Sequence, residues 1–360
     1  MGEMGTSCGG HRDVDTVAHR HADGTFLMPR EEGKTGQGHG EPQPMRLLIG
    51  LCSAGCMVVL IAVGSLWVYG GSYGLHDVWR HGGTFWLTVR ADSPRLSPSM
   101  RLALGPAPAA RPGTFQWQVV DEGFEAADLP AVANEQQVDH VMLARIDPER
   151  FRFVVLNASD GTKGLDEWMA DLGAALVVNG SYYARDGTPD TPLVSNGRLL
   201  GPQDYDAKAG AFVARTEFTG VIDLANADWR SVFENAENAM VSYPLLLANG
   251  AMRVARPSRW LANRSFVGQD DCGRIIIGTT TDAFFSLDHL AQFLLDAPLA
   301  LTLALNLDGG PVANQGISLK GFDRRTYGNW ETQVDGDRVK LLTWPYGTMA
   351  MPIVLAVFPK

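Results

Sequence analysis

Residues 301–310 read Leu-Thr-Leu-Ala-Leu-Asn-Leu-Asp-Gly-Gly. A run this short and apolar, closed by a carboxylate and two glycines, predicts a buried strand that stops at a sharp bend. Just upstream, Ser286 suits the cap of a helix whose Leu287, Leu290 and Leu294 share one face, and Asp288 complements its first turn. Pro298 ends that helix, and Arg274–Thr281 before it reads as a strand. A similar order occurs earlier. Val138–Ile146 and Phe151–Leu156 read as strands split by the turn Asp147-Pro148-Glu149. Leu165, Trp168, Met169 and Leu172 then fit helical spacing, with Thr162 as cap and Gly173 as stop. Ala174–Val178 is the next short buried strand and ends at Asn179-Gly180. Met351–Phe358 reads as a final strand, and no internal sequence repeat accompanies the recurring pattern. The expected fold is α+β, a mixed, largely antiparallel sheet flanked by helices.

Composition narrows the chemistry. The 360 residues carry a formal net charge of −10, which argues against nucleic-acid binding, where a basic face is needed. Hydrophobic residues at 45% supply a sizeable core. Cys8, Cys52 and Cys56 precede the folded region and only Cys272 lies within it. That excludes an internal disulfide or a thiolate metal cluster there. His140 and His289 are the only histidines in the same region. The expected chemistry therefore rests on carboxylates, amides and arginine, with no metal and no cofactor.

The N-terminal third is organised differently. Residues 1–45 are rich in Gly, His and charge and are expected to be a disordered tail; Met45 is an alternative start. Residues 46–70 contain the uncharged run 47–69, closed by Trp67 and Tyr69, and predict one transmembrane helix or signal anchor preceding the fold. Gly70-Gly71-Ser72 as a cleavage region and Cys56 as a lipid-attachment site are the alternatives. Arg30, Lys34 and Arg46 before the run favour a cytoplasmic N-terminus, with the C-terminal domain periplasmic or extracellular. Residues 71–114, rich in Pro and Arg, read as a linker with a short β-pair around Thr84–Val89. The folded domain is expected over 115–360.

Two strand ends hold the candidate chemistry. Val177-Val178-Asn179-Gly180-Ser181-Tyr182-Tyr183 sets an amide and two aromatics at one bend. At the other, Asn306 and Asp308 are two apart and share a face, followed by Gly309 and Gly310. Glycines allow a sharp turn and close approach of a ligand to the backbone. Taken singly, Asn-Gly and Asp-Gly are also the commonest hairpin dipeptides, so spacing alone selects no function.

Further segments follow in a definite order: Val194-Ser195-Asn196-Gly197, Pro244-Leu245-Leu246 to Gly250, Arg264-Ser265-Phe266-Val267-Gly268, a strand leading to Asp282, Asn306 to Gly310, and Val357-Phe358-Pro359. With Asn179 to Tyr183 at the front, this order resembles the phosphodiester glycosidase family over residues 115–360. Two departures stand out: Ser181 replaces a glycine, and Pro311-Val312-Ala313-Asn314 replaces a Ser/Thr-rich turn.

The resemblance implies an envelope hydrolase that cleaves a glycosyl phosphodiester in a sugar-phosphate-containing glycan or glycolipid. It implies Asp308, Asp282 and Arg264 as catalytic residues. Arg264 would grip the phosphate by paired hydrogen bonds, and the two aspartates would be the carboxyls that glycosidic cleavage usually needs. Asn179, Gly180, Tyr182, Ser195, Asn306, Gly309 and Gly310 would bind substrate. The rival readings are a non-catalytic carbohydrate-binding envelope protein on the same scaffold, and a purely structural membrane-tethered protein without a shared pocket.

Overall fold

The structure is a computed structural model that describes residues 52–65, 85–105, 109–158, 161–184, 186–254, 258, 260–336, 338–343 and 349–360. The chain divides into two units, Met1–Cys56 and Met57–Lys360. The tail 1–45 lies outside the described residues, as do 47–51 and 66–69 of the expected membrane span. Residues 52–56 of the first unit and 57–65 of the second are helical, with every side chain exposed. No helix among the described residues is long and apolar enough to cross a membrane.

Every strand pairing among the described residues is antiparallel, so the expected mixed sheet is corrected to a set of antiparallel ones. The largest has nine strands. Its centre runs Leu245–Ala248, Leu301–Asn306, Ser265–Asp270, Ile275–Thr280, Gln136–Ile146 and Phe124–Ala133. A five-stranded sheet runs Phe322–Thr326, Gln315–Leu319, Leu176–Asn179, Ile353–Pro359 and Phe151–Asn157. A second five-stranded sheet contains Gly210–Arg215, Asn238–Ser242 and the hairpin Leu193–Ser195/Arg198–Leu200. A four-stranded sheet runs Phe85–Arg90, Arg338–Thr343, Trp330–Asp335 and Trp260–Ala262.

The helix–strand alternation has a specific cause. Phe151–Asn157 and Leu176–Asn179, joined through the helix Leu165–Leu172, are both antiparallel to Ile353–Pro359, which lies between them. Ile275–Thr280 and Leu301–Asn306, joined through the helix Leu287–Asp296, likewise flank Ser265–Asp270. Each helix crosses between strands of like direction, but a third strand fills the gap.

Packing puts four layers in order. The helix Leu287–Asp296 buries Leu290, Phe293 and Leu294 against Phe266, Ile276 and Leu246 on one face of the nine-stranded sheet. On the other face Val267, Ile277 and Leu305 meet Val178, Ile353 and Leu355 of the first five-stranded sheet. The helix Leu165–Leu172 covers that sheet's far side with Leu165, Trp168 and Met169 against Val177 and Val354. Central strands buried on both faces must be continuously apolar, which is why they read as unbroken runs rather than alternations. Opposite Phe266 stands Gly278, where a Cβ would fall 2.4 Å from the ring. Burying that ring contributes about 2–3 kcal/mol and fixes the strand that begins beside Arg264.

Local starts and stops differ in detail from expectation. The first helix is capped at Gly164, whose N–H donates to Glu167 Oε2 at 2.8 Å, and not at Thr162. It ends at Gly173 with φ +57°. Ser286 caps the later helix, its Oγ accepting from the His289 N–H at 3.4 Å. The stretch read as a linker, 71–114, contains the strand Phe85–Arg90 and the helix Pro98–Leu104, and buries Leu96 and Met100. Ser97 caps that helix and Pro98 opens it, so the prolines and serines that suggested a loop are start signals.

Candidate active site

Four layers bring the two glycine bends together. Asp308 N–H donates to Gly180 O at 3.0 Å, and Asn179 Nδ2 donates to Asp308 O at 2.7 Å. Gly180 has no room for a side chain, since a Cβ would stand 2.4 Å from Ile353 Cγ2. Gly310 sits at φ +72°, and a Cβ there would fall 2.8 Å from Glu331 Oε2. The paired glycines of the second bend thus let other chain segments close on Asp308.

Arg264 and Glu331 arrive there from different sheets. Arg264 immediately precedes the central strand Ser265–Asp270 and is 6% exposed. Its Nη2 donates to Trp260 O at 2.7 Å and its Nε to Phe285 O at 3.3 Å. Nη1 lies 3.4 Å from where a Gly309 Cβ would stand. Burial lowers the guanidinium pKa, and the nearby acids Glu331, Tyr182 and Asp308 oppose that. It stays a cation, because arginine starts so high. Glu331 is in the small sheet, opposite Ala262, and its Oε1 accepts from the Trp260 indole N–H.

The two carboxyls differ in support. Asp308 is pushed up to about 7, first by burial and then by the charge of Glu331, against the Gly309 N–H at 2.8 Å and Arg264. Glu331 is also raised by burial, but Arg264 and the indole N–H both favour its ionised form. The two carboxyls are therefore coupled: the charge of Glu331 is one of the causes that raise Asp308, while Arg264 and the indole N–H act on Glu331 in the opposite sense.

Aromatic groups border these charges. Tyr182 stacks on Tyr243 with ring centroids 4.2 Å apart and planes 20° off parallel. Its hydroxyl donates to Tyr243 O at 2.7 Å and accepts from Asn306 Nδ2 at 2.8 Å. Tyr243 is 39% exposed, whereas Tyr183 packs into the apolar core. Burial raises both Tyr182 and Tyr183, so their hydroxyls keep their protons.

Several expected substrate contacts have other partners. Asn179 and Asn306 are buried, and each directs its NH2 group to backbone or to Tyr182. Their Oδ1 atoms are sealed without a partner among the described residues. Both amides brace the bends. Ser195 belongs to the hairpin of another sheet, where the turn residues Asn196 and Gly197 donate to Asn238 Oδ1 and Glu237 O. Asp282 accepts from Ser99 Oγ at 3.3 Å, and its N–H donates to Asp139 Oδ1 at 2.9 Å. The acid that acts on Asp308 is Glu331, not Asp282. Gly309 and Gly310 remain at the bend beside Arg264 and Glu331.

Glu331, Trp260 and Tyr243 carried no local sequence signal. Their pairing across the site is set by strand register, and only the Pro-Leu-Leu segment next to Tyr243 hinted at one of them. Among the described residues, Asp270, Asp271 and Cys272 are the one group of potential metal ligands within reach of a shared ion. The buried Asp270 there is already bonded to Arg274 at 2.8 Å. The Pro311–Asn314 turn is buried, with Val312 against the helix Leu165–Leu172.

Comparison with known proteins bears on the same bends. Several solved structures resemble the chain, two of them as follows. One is the catalytic domain of zebrafish N-acetylglucosamine-1-phosphodiester alpha-N-acetylglucosaminidase, auto-inhibited by its pro-peptide. It has 16% identity and a TM-score of 0.47, over 76% of this chain and 88% of that one. The other is a hypothetical protein from Synechocystis, at 16% identity and a TM-score of 0.46, over 69% of this chain and 64% of that one. No curated protein matches. The family model described as phosphodiester glycosidase matches residues 172–327, the span that includes Asn179, Arg264 and Asp308. The likeness to the phosphodiester glycosidase family thus rests on the family-model match over residues 172–327.

Proposed function

We propose that this domain hydrolyses a glycosyl phosphodiester at the Asp308–Arg264–Glu331 group. The observation that carries the proposal is the convergence of Asp308, the buried Arg264 guanidinium and Glu331 at the Gly309-Gly310 bend. Arg264 neutralises the single charge of the diester and orients it through its Nη edge. Asp308, still half protonated near pH 7, donates to the departing phosphate oxygen. Glu331 offsets the positive charge that builds on the sugar ring in an oxocarbenium-like transition state. Phosphate is a good leaving group, so the demand on the acid is modest. The outer face of Tyr243 is the natural platform for the sugar, because the inner ring, Tyr182, is covered by it.

The test is release of product from a panel of chromogenic sugar-1-phosphodiesters by the full chain. Absence of turnover across the panel would remove the hydrolase assignment. Non-catalytic carbohydrate binding drew its support from the missing Ser/Thr turn, and the buried Pro311–Asn314 segment weakens that support. The envelope setting belongs to the same proposal. The uncharged run 47–69 would anchor the chain in a membrane and leave the domain outside it, facing glycan or glycolipid. Recovery of the full chain in the soluble fraction without detergent would refute the anchor.

A further inference from the structure

A guanidinium and a carboxylate share this site, yet Arg264 and Glu331 have no N···O approach within 4.0 Å. Neither appears among the ion pairs of the described residues. Arg264 is buried and Glu331 half-buried, and opposite charges sharing so sheltered a site ordinarily close into a pair, because poorly solvated charges are penalised when left alone. Something holds them apart, and both sets of bonds run through one residue. Trp260 O takes Arg264 Nη2 at 2.7 Å, and the Trp260 indole N–H takes Glu331 Oε1. Trp260 starts the edge strand of the small sheet and pairs with Gln333, two residues beyond Glu331. Its backbone is thereby locked to the strand that carries the acid, while its carbonyl holds the arginine of the large sheet.

We propose that Trp260 is the positioning residue of the site. By engaging Glu331 and Arg264 separately, it prevents them from pairing and keeps the guanidinium edge open for the phosphate. A site that neutralised itself would occupy its anion-binding edge and tie up its carboxylate together. A phenylalanine at this position would keep the carbonyl and a flat ring but remove the N–H. Glu331 would then be released to swing onto Arg264.

Crystal structures of the full chain carrying Trp260→Phe and Trp260→His test this directly. The Phe variant is expected to bring a Glu331 oxygen within 4.0 Å of the Arg264 guanidinium. The His variant, which restores a ring N–H, is expected to keep them apart. Separate charges in Trp260→Phe would overturn the proposal. Kinetics supply a second reading that rests on the phosphodiester function. KM for the diester should rise about tenfold or more in Trp260→Phe, as expected for a lost charge-assisted anion contact, and return toward wild type in Trp260→His. An unchanged KM in the Phe variant would also overturn it. Were wild type inactive on every diester, the proposed function would fall, while the two structures would still decide the role of Trp260. If Trp260→Phe does not fold, Trp260→His against Trp260→Gln, each with an N–H donor, replaces it; pairing of Glu331 with Arg264 in both would refute the idea.

Discussion

Asp308 and Asp139 are both aspartates with strongly raised pKa values, near 7 and near 8, and burial is the first cause for each. Their surroundings differ. Asp139 Oδ1 accepts from the backbone N–H groups of His140, Thr281 and Asp282 at 2.7, 3.0 and 2.9 Å, and from Thr281 Oγ1 at 3.1 Å. Its Oδ2 is sealed with no partner among the described residues. That carboxyl ties off the bend at which the strand Ile275–Thr280 leaves the large sheet. Asp308 accepts a single backbone N–H, from Gly309, and otherwise faces a cation and a second acid. A perturbed pKa alone therefore does not mark chemistry in this molecule. The distinguishing feature is whether the carboxyl is spent on donors that tie two chain segments together or aimed at charges that a ligand can join.

That contrast can be broken by experiment. The largest expected effect is loss of turnover in Asp308→Asn, by roughly a thousandfold if it serves as the acid, measured as kcat on a chromogenic diester. Wild-type rates in that variant would put Asp308 on the same footing as Asp139. Asp139→Ala should instead lower stability by about 3 kcal/mol, because four donors lose their acceptor. Its kcat per folded molecule should be unchanged. Asp139→Asn, which keeps Oδ1, should cost far less, and thermal melts compare the two.

The pH response follows next. Asp308 binds its proton more tightly in the folded chain than in the unfolded one. Its contribution to stability is thus fully present below about pH 4, declines as pH rises, and is lost once pH passes about 7. Asp308→Asn should flatten that decline by about 2 kcal/mol after allowance for its partial exposure, read as denaturant midpoints between pH 4 and 8. A difference between the two proteins that grows toward low pH would refute the assignment. In the same window, wild-type kcat should fall as pH passes 7 and Asp308 gives up its proton. The smallest effect belongs to Ser99→Ala. Loss of its bond to Asp282 should cost about 0.5–1 kcal/mol and leave turnover alone. A tenfold drop in kcat there would bring Asp282 back into the chemistry.

The sequence exposed what is local. The 301–310 run, the helix spacings, the two glycine bends and Arg264 were legible because each carries its own pattern. Glu331 was not, since it reaches Trp260 across 71 residues of chain and sits in a strand whose alternation reads as a surface edge. The same limit hid the partner of Asp282. It follows a buried strand as Asp308 does, but its carboxylate meets Ser99 on a helix that composition had disguised as linker. The partners of Asn179 and Asn306 were hidden for a similar reason. Spacing gave their face, but only packing revealed that both are buried and bonded to the bends.

The small sheet has a practical bearing on how the molecule should be cut. Its edge, Phe85–Arg90, pairs with Arg338–Thr343, and that strand pairs with the one holding Glu331. A recombinant fragment begun at residue 115 would discard this outer support together with Ser99 and Met100, and would bare a new β edge next to the strand that carries Glu331. A truncation meant to report on the proposed activity should start ahead of residue 85, or its silence in an assay would say more about the scissors than about the protein.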